Sequence, residues 1–88
     1  KNVQGSFNDG LDALMTINPI LYKWNDKSGM ETEHTYAGFG ARNVQAAIPY
    51  GVGQQAYGML TLQDRAILAA VVNAIKELEM RLVQLERK

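Results

Sequence analysis

The side chains that could do chemistry are few in this sequence. His34 is the only histidine, and with Glu31, Glu33 and Thr35 around it one can imagine an acid–base pair or a metal site. A metal site needs three or four converging ligands, so His34 reads as a plain surface histidine and no metal is expected. Ser6 and Ser28 lie in turn-like segments, have no nearby base in sequence, and read as turn formers. Gly38-Phe39-Gly40, followed by Ala41 and a helix, superficially suggests a phosphate loop. It lacks the third glycine and the preceding buried strand of a proper fingerprint, and no cofactor is expected. Trp24 with Tyr22 and Phe39 could stack a ligand, but aromatic residues at strand spacing are more often core. Met15, Met30, Met59 and Met80 are scattered gap fillers. The chain has no cysteine, which removes disulfides, thiolate catalysis and most zinc sites together.

The elements that must position these residues fit one small domain of 88 residues, whose N-terminal part would bury only a modest core alone. Nine basic and nine acidic side chains cancel, without a basic run or stripe to attract a phosphate backbone, so nucleic acid is not an expected partner. No apolar stretch approaches the roughly 18 residues of a membrane span, and the N-terminus carries no signal peptide; a membrane is not expected either.

Along the chain, Asn8 or Asp9 can cap a short helix with Leu11, Leu14 and Met15 on one face and Asp12 in the first turn; Asn18-Pro19 ends it. Ile20 to Trp24 alternates as a strand, with Ile20, Tyr22 and Trp24 on one side. Asn25-Asp26-Lys27-Ser28-Gly29 is a turn-rich break, and Thr35 to Phe39 is the return strand, where Gly38 and Gly40 leave space for a close backbone or a packed aromatic. Ala41 to Ile48 comes next as a helix with Ala41, Val44 and Ile48 inward, stopped by Pro49. Tyr50 to Leu60, with Gly51, Gly53 and Gly58, is a loop or short edge strand joining this body to the C-terminal segment.

Thr61 to Lys88 reads as one helix. Apolar residues at Leu68, Val71, Ile75, Leu78, Leu82 and Leu85 keep a strict three-then-four spacing, which is a coiled-coil seam. Glu79 and Glu86 fall at e and Arg81 and Lys88 at g, so a parallel neighbour can pair Arg81 with Glu86 across the interface. Beyond Ile75 the helix is charged on every face but one, a stripe too narrow for a globular core. Before it, Ile67, Leu68, Val71 and Val72 make a broader face expected to pack on the rest of the chain. Leu and Ile at a with Val and Leu at d do not choose between two strands and three.

Three segments carry a resemblance: Ile17-Asn18-Pro19-Ile20-Leu21-Tyr22-Lys23-Trp24-Asn25; Tyr36-Ala37-Gly38-Phe39-Gly40-Ala41 with Val44 and Pro49; and Ala74-Ile75-Lys76-Glu77-Leu78. In order and spacing they resemble the C-terminal intramolecular chaperone domain of bacteriophage tailspikes, tail fibres and neck appendages, best known from endosialidases. Each motif is weak alone, and the ordered trio is far more specific. Where that family usually has Gln-Glu after the alanine, this chain has Arg42-Asn43.

The resemblance implies an α+β fold: a body of short helices and a β-hairpin over residues 1–60, then a C-terminal helix over 61–88 forming a parallel trimeric coiled coil. It implies a homotrimer that registers and folds the upstream fibre domain of the same polypeptide and then cuts itself off. Such a chain is made in the host cytoplasm as part of a virion tail precursor and leaves the mature particle. The family's cleavage uses a serine and a lysine in the pattern Ser-Asp-x-x-x-Lys at the start of the domain, a single-turnover serine endopeptidase. The matching serine is not in this sequence, which opens Lys1-Asn2-Val3. Family members often read Lys-x-Asn-Ile or Lys-x-Asn-Val there, which places Lys1 just after the dyad lysine, with Lys1 itself as the alternative. The fragment alone is expected to be inactive. A permanent oligomerisation or receptor-binding tip of a fibrous protein is the competing reading.

Overall fold

The computed structural model describes residues 1–25, 29–54 and 60–87. Asp26, Lys27, Ser28, Gly58, Met59 and Lys88, which carry expectations from the sequence, lie outside them. The order is α1 (Leu11–Leu14), β1 (Ile20–Tyr22), β2 (Tyr36–Gly38), α2 (Ala41–Ala47), a 3-10 turn at Pro49–Gly51, β3 (Val52–Gln54), β4 (Leu60–Leu62) and α3 (Asp64–Glu86). The class is α+β, with two small antiparallel hairpins and a long C-terminal helix.

In the first hairpin Ile20 pairs with Gly38, Leu21 with Ala37 and Tyr22 with Tyr36. Gly38 is required there because a Cβ would fall 2.9 Å from Tyr22 Cε1. Gly40, extended in backbone, opens α2, and Ile48 closes it by donating its N–H to Val44 O at 2.7 Å. Pro49 forbids continuation.

The second hairpin supplies the short strand that the joint was expected to hold as one alternative, and it corrects the expected helix start. Val52 pairs with Leu62, Gly53 with Thr61 and Gln54 with Leu60, and Gln63 donates its N–H to Gly51 O at 2.7 Å. These bonds commit the backbone of residues 60–63 to the sheet, so the helix begins at Asp64 and not at Thr61. The hairpin straddles residues 60 and 61, joining the body to the helix through paired strands.

The core is small: Ile17, Val44, Ile48, Ile67, Ala70 and Ala74 are buried, with Phe7, Leu14 and Phe39 packed against it. Val44 and Ile48 sit one turn apart on α2, as their spacing demanded, and Gly51 folds tightly over them, where a Cβ would lie 2.6 Å from Val44 Cγ1. The stripe of α3 turned to the body is Ile67, Ala70 and Ala74, which corrects the expected face of Ile67, Leu68, Val71 and Val72. Alanine at two consecutive turns lets α1 and the 3-10 turn approach the helix axis closely; Leu68 and Val72 remain exposed.

The radius of gyration is 16.5 Å and the longest extent 56 Å, against roughly 12 Å expected for the radius of a compact chain of this length. The excess comes from α3, whose last buried residue is Ala74.

Candidate assembly surface and chain-start clamp

Two stripes of α3 matter for function. The first is the spaced apolar edge. In the single chain Leu68 is 63% exposed, Ile75 61%, Leu78 45%, Leu82 54% and Leu85 62%; Val71 is half-buried. At about 100° per residue this edge lies roughly 80° around the helix from the Ile67, Ala70 and Ala74 stripe, so body packing leaves it uncovered. Arg81 and Glu86 are exposed beside it.

The edge does not stop at the top of the helix. Leu68 and Val71 border a shallow apolar hollow with Ile67 and Phe39. Phe39 also lines a second hollow with Ile20, Tyr22, Trp24, Leu60 and Leu62. Tyr22 meets Trp24 edge-on at 5.4 Å and stacks on Tyr36 at 5.7 Å, which explains the aromatic strand spacing as side-chain packing along the hairpin. Trp24 and Ile20 stay partly open to solvent.

The second stripe is polar and was not anticipated. Asn73 donates its side-chain amide to the carbonyl oxygens of Phe7 at 2.9 Å and Asp9 at 2.8 Å. One turn on, Glu77 Oε2 accepts the Leu11 N–H at 3.2 Å. The expected cap of α1 by Asn8 or Asp9 is therefore corrected: Gly10 is the capping residue, no side chain of its own segment caps the helix, and a carboxylate from α3 supplies the acceptor instead. Gly10 is buried, and a Cβ there would collide with the Glu77 carboxylate. Met15 also departs from expectation; it lies beyond α1 and is exposed. A signal for this clamp existed in the sequence: Asn73 is a poor helix former placed mid-helix, where such a side chain needs a partner.

Asn43, one of the two residues that depart from the family pattern, has a comparable role in the body. Its Oδ1 accepts the Asn18 N–H at 2.8 Å and its Nδ2 donates to Thr16 O at 2.8 Å, which fixes the turn ahead of Pro19 on α2.

The remaining chemical candidates are not brought together. Lys1 is exposed at the start of a segment without regular secondary structure. Ser6 is exposed beside Phe7 and Tyr50. The His34 ring lies 4.4 Å from that of Tyr36, and the His34 backbone N–H donates to Glu31 Oε1 at 2.7 Å, an oxygen that also accepts the Glu33 N–H. Glu31 thus closes a turn. Among the described residues no group of three His, Cys, Asp or Glu could hold a metal, and no helix is long and apolar enough to cross a membrane.

The site is a small α+β body carrying a long helix with an uncovered apolar edge. The chain matches the family described as chaperone of endosialidase over residues 1–53, and it belongs to that family. Membership gives it a chaperone role toward a fibre or tailspike domain. The match ends within β3 and leaves α3 to be read from its own residues. No curated protein and no solved structure matches the chain.

Proposed function

We propose that the chain is an intramolecular trimerisation chaperone. Three copies join through α3 as a parallel coiled coil, register the upstream part of the phage fibre or tailspike to which they are fused, and are released by autoproteolysis. The part through the second hairpin acts as the chaperone body and α3, Asp64–Glu86, as the oligomerisation helix. The observation that carries this reading is the exposed edge Leu68, Val71, Ile75, Leu78, Leu82 and Leu85, five of whose six side chains are mostly or nearly half in solvent. A sustained apolar row on a helix projecting from its body needs a cover, and its heptad spacing fits other copies of itself. In the parallel arrangement Arg81 of one copy meets Glu86 of the next.

Tying three chains at one end makes the next pairing effectively intramolecular, so register spreads from the bundle into the fibre. For release, a neutral lysine amine takes the proton of a serine hydroxyl as its oxygen attacks the preceding carbonyl; the C–N bond breaks, the departing serine amine takes up the proton, and water then hydrolyses the ester and separates the two chains. That pair is expected as Ser-Asp-x-x-x-Lys immediately before Lys1, or ending on Lys1. The precursor forms in the host cytoplasm and the cut domain leaves the particle.

The test is mass. The chain of 9.8 kDa should sediment near 29 kDa as a trimer, and the mature fibre should lack it. Changing the upstream serine to alanine should give an assembled, uncut precursor. A chain that stays monomeric at tens of micromolar ends the reading; a segment retained in mature particles favours a permanent tip domain.

A further inference from the structure

The geometry points to Asn73 and Glu77 as the positioning residues through which helix association fixes the start of the chain, an inference that deepens the proposal above and rests on its trimer. Residues 1–6 are exposed and lack regular secondary structure. The first fixed point is Phe7, packed on the core and edge-on to Tyr50 at 5.8 Å. From there α3 binds the backbone at three successive places: Phe7 O and Asp9 O by Asn73, and Leu11 N by Glu77. These bonds span 64 to 66 residues of sequence. The chain start is therefore placed by the helix and not by local structure.

The same turns of helix carry the apolar edge. Ile75 lies between Asn73 and Glu77, and Leu78 comes directly after. At about 100° per residue the clamp points roughly 150° away from the edge, so both can be occupied together. Both need residues 73–78 to be helical. Beyond Ala74 no residue of α3 is buried in the single chain and only Glu77 and Val83 are half-buried, so most of the helical order there has tertiary support to gain from a partner. Association that holds the helix thus holds the clamp, and three helices in register place three chain starts at one height. The segment ahead of Phe7 leaves from points set by the bundle.

The test uses Asn73→Asp, which keeps the shape but removes the donor and turns a carboxylate toward two carbonyl oxygens, and Glu77→Leu, which removes one acceptor and spares Asn73. Glu77→Gln keeps an acceptor oxygen and serves as the rescue. Three quantities are read: solution mass of the 88-residue chain, hydrogen exchange at the Leu11 amide, and yield of native fibre from the full precursor. N73D and E77L should keep the wild-type mass, lose about tenfold in Leu11 protection, and lower native-fibre yield severalfold; E77Q should restore most of both. Unchanged Leu11 protection overturns the inference. So does fibre made at wild-type yield after protection is lost. A monomeric wild-type chain overturns the trimer reading itself and is recognised by mass before any variant is made.

Discussion

Replacing Ile75 and Leu78 by aspartate attacks the middle of the apolar edge, and its effect can be sized from exposure. Full burial of an aliphatic side chain is worth about 1.5–3 kcal/mol. Ile75 is 61% exposed and Leu78 45% exposed in the single chain. The part still available for burial between copies is therefore about 2–3 kcal/mol per protomer, or about 5–9 kcal/mol per trimer. That corresponds to about four to six orders of magnitude in the association constant, before counting six carboxylates forced together. The folded body should survive, because neither residue contributes to the buried core. Helicity should fall only toward the end of α3, where association was the support. Sedimentation equilibrium should report 9.8 kDa for I75D/L78D, with the near-ultraviolet signal of Trp24 preserved. Met80→Asp is the control: Met80 is 64% exposed, as apolar and as open, but lies off the heptad row, and its change should leave the trimer intact. A double variant still near 29 kDa, or an M80D chain that dissociates equally, refutes the reasoning.

Gly51→Ala should lower thermal stability by about 1–3 kcal/mol, because the new methyl lands 2.6 Å from Val44 Cγ1 and 3.7 Å from both Ile48 and Ile67; an unshifted melting curve would show that the core can relax there. Asn43→Ala removes both bonds that hold Thr16 and Asn18 and should cost about 1–2 kcal/mol in denaturant titration, with Asn43→Asp, which keeps the acceptor, intermediate. Arg81→Glu alone should weaken association measurably at low salt, and R81E/E86R should restore it; failure of the double reversal would argue against the parallel arrangement.

The readable parts of this fold are those whose signal is local. Tyr22 with Trp24, the Gly38 notch and the stop at Pro49 outlined the first hairpin and α2, because period-two alternation and proline act within a few residues. The apolar edge of α3 was legible for the same reason. β3 was legible only as one of two alternatives, because Gly51 and Gly53 masked any alternation, and β4 was not, because Leu60-Thr61-Leu62 runs straight into a helical pattern. The face of α3 that meets the body was misassigned because Ala70 and Ala74 are too small to register as hydrophobic while being the residues that permit closest approach. Nothing local marks Glu77 apart from the other charges beyond Ile75, since its partner, the Leu11 amide, is 66 positions away in sequence. The clamp that fixes the chain start is thus a tertiary fact, hinted at only by an asparagine in the middle of a helix.

Why one helix should carry so much is a matter of the size of the body. Among the described residues six apolar side chains are buried, two of them alanine, a thin core for a domain of this length, and three of those six, Ile67, Ala70 and Ala74, are on α3. Removing the helix would therefore unmake the body, and leaving it unpartnered leaves its lower half with nothing to rest on. Packing on the body buries only the top of α3; in the proposed trimer, sister chains cover the spaced edge below and the polar clamp carries that order to the chain start. On the proposed reading the chain gains its full order only when its copies meet, which is the property required of a domain whose task is to bring others into register.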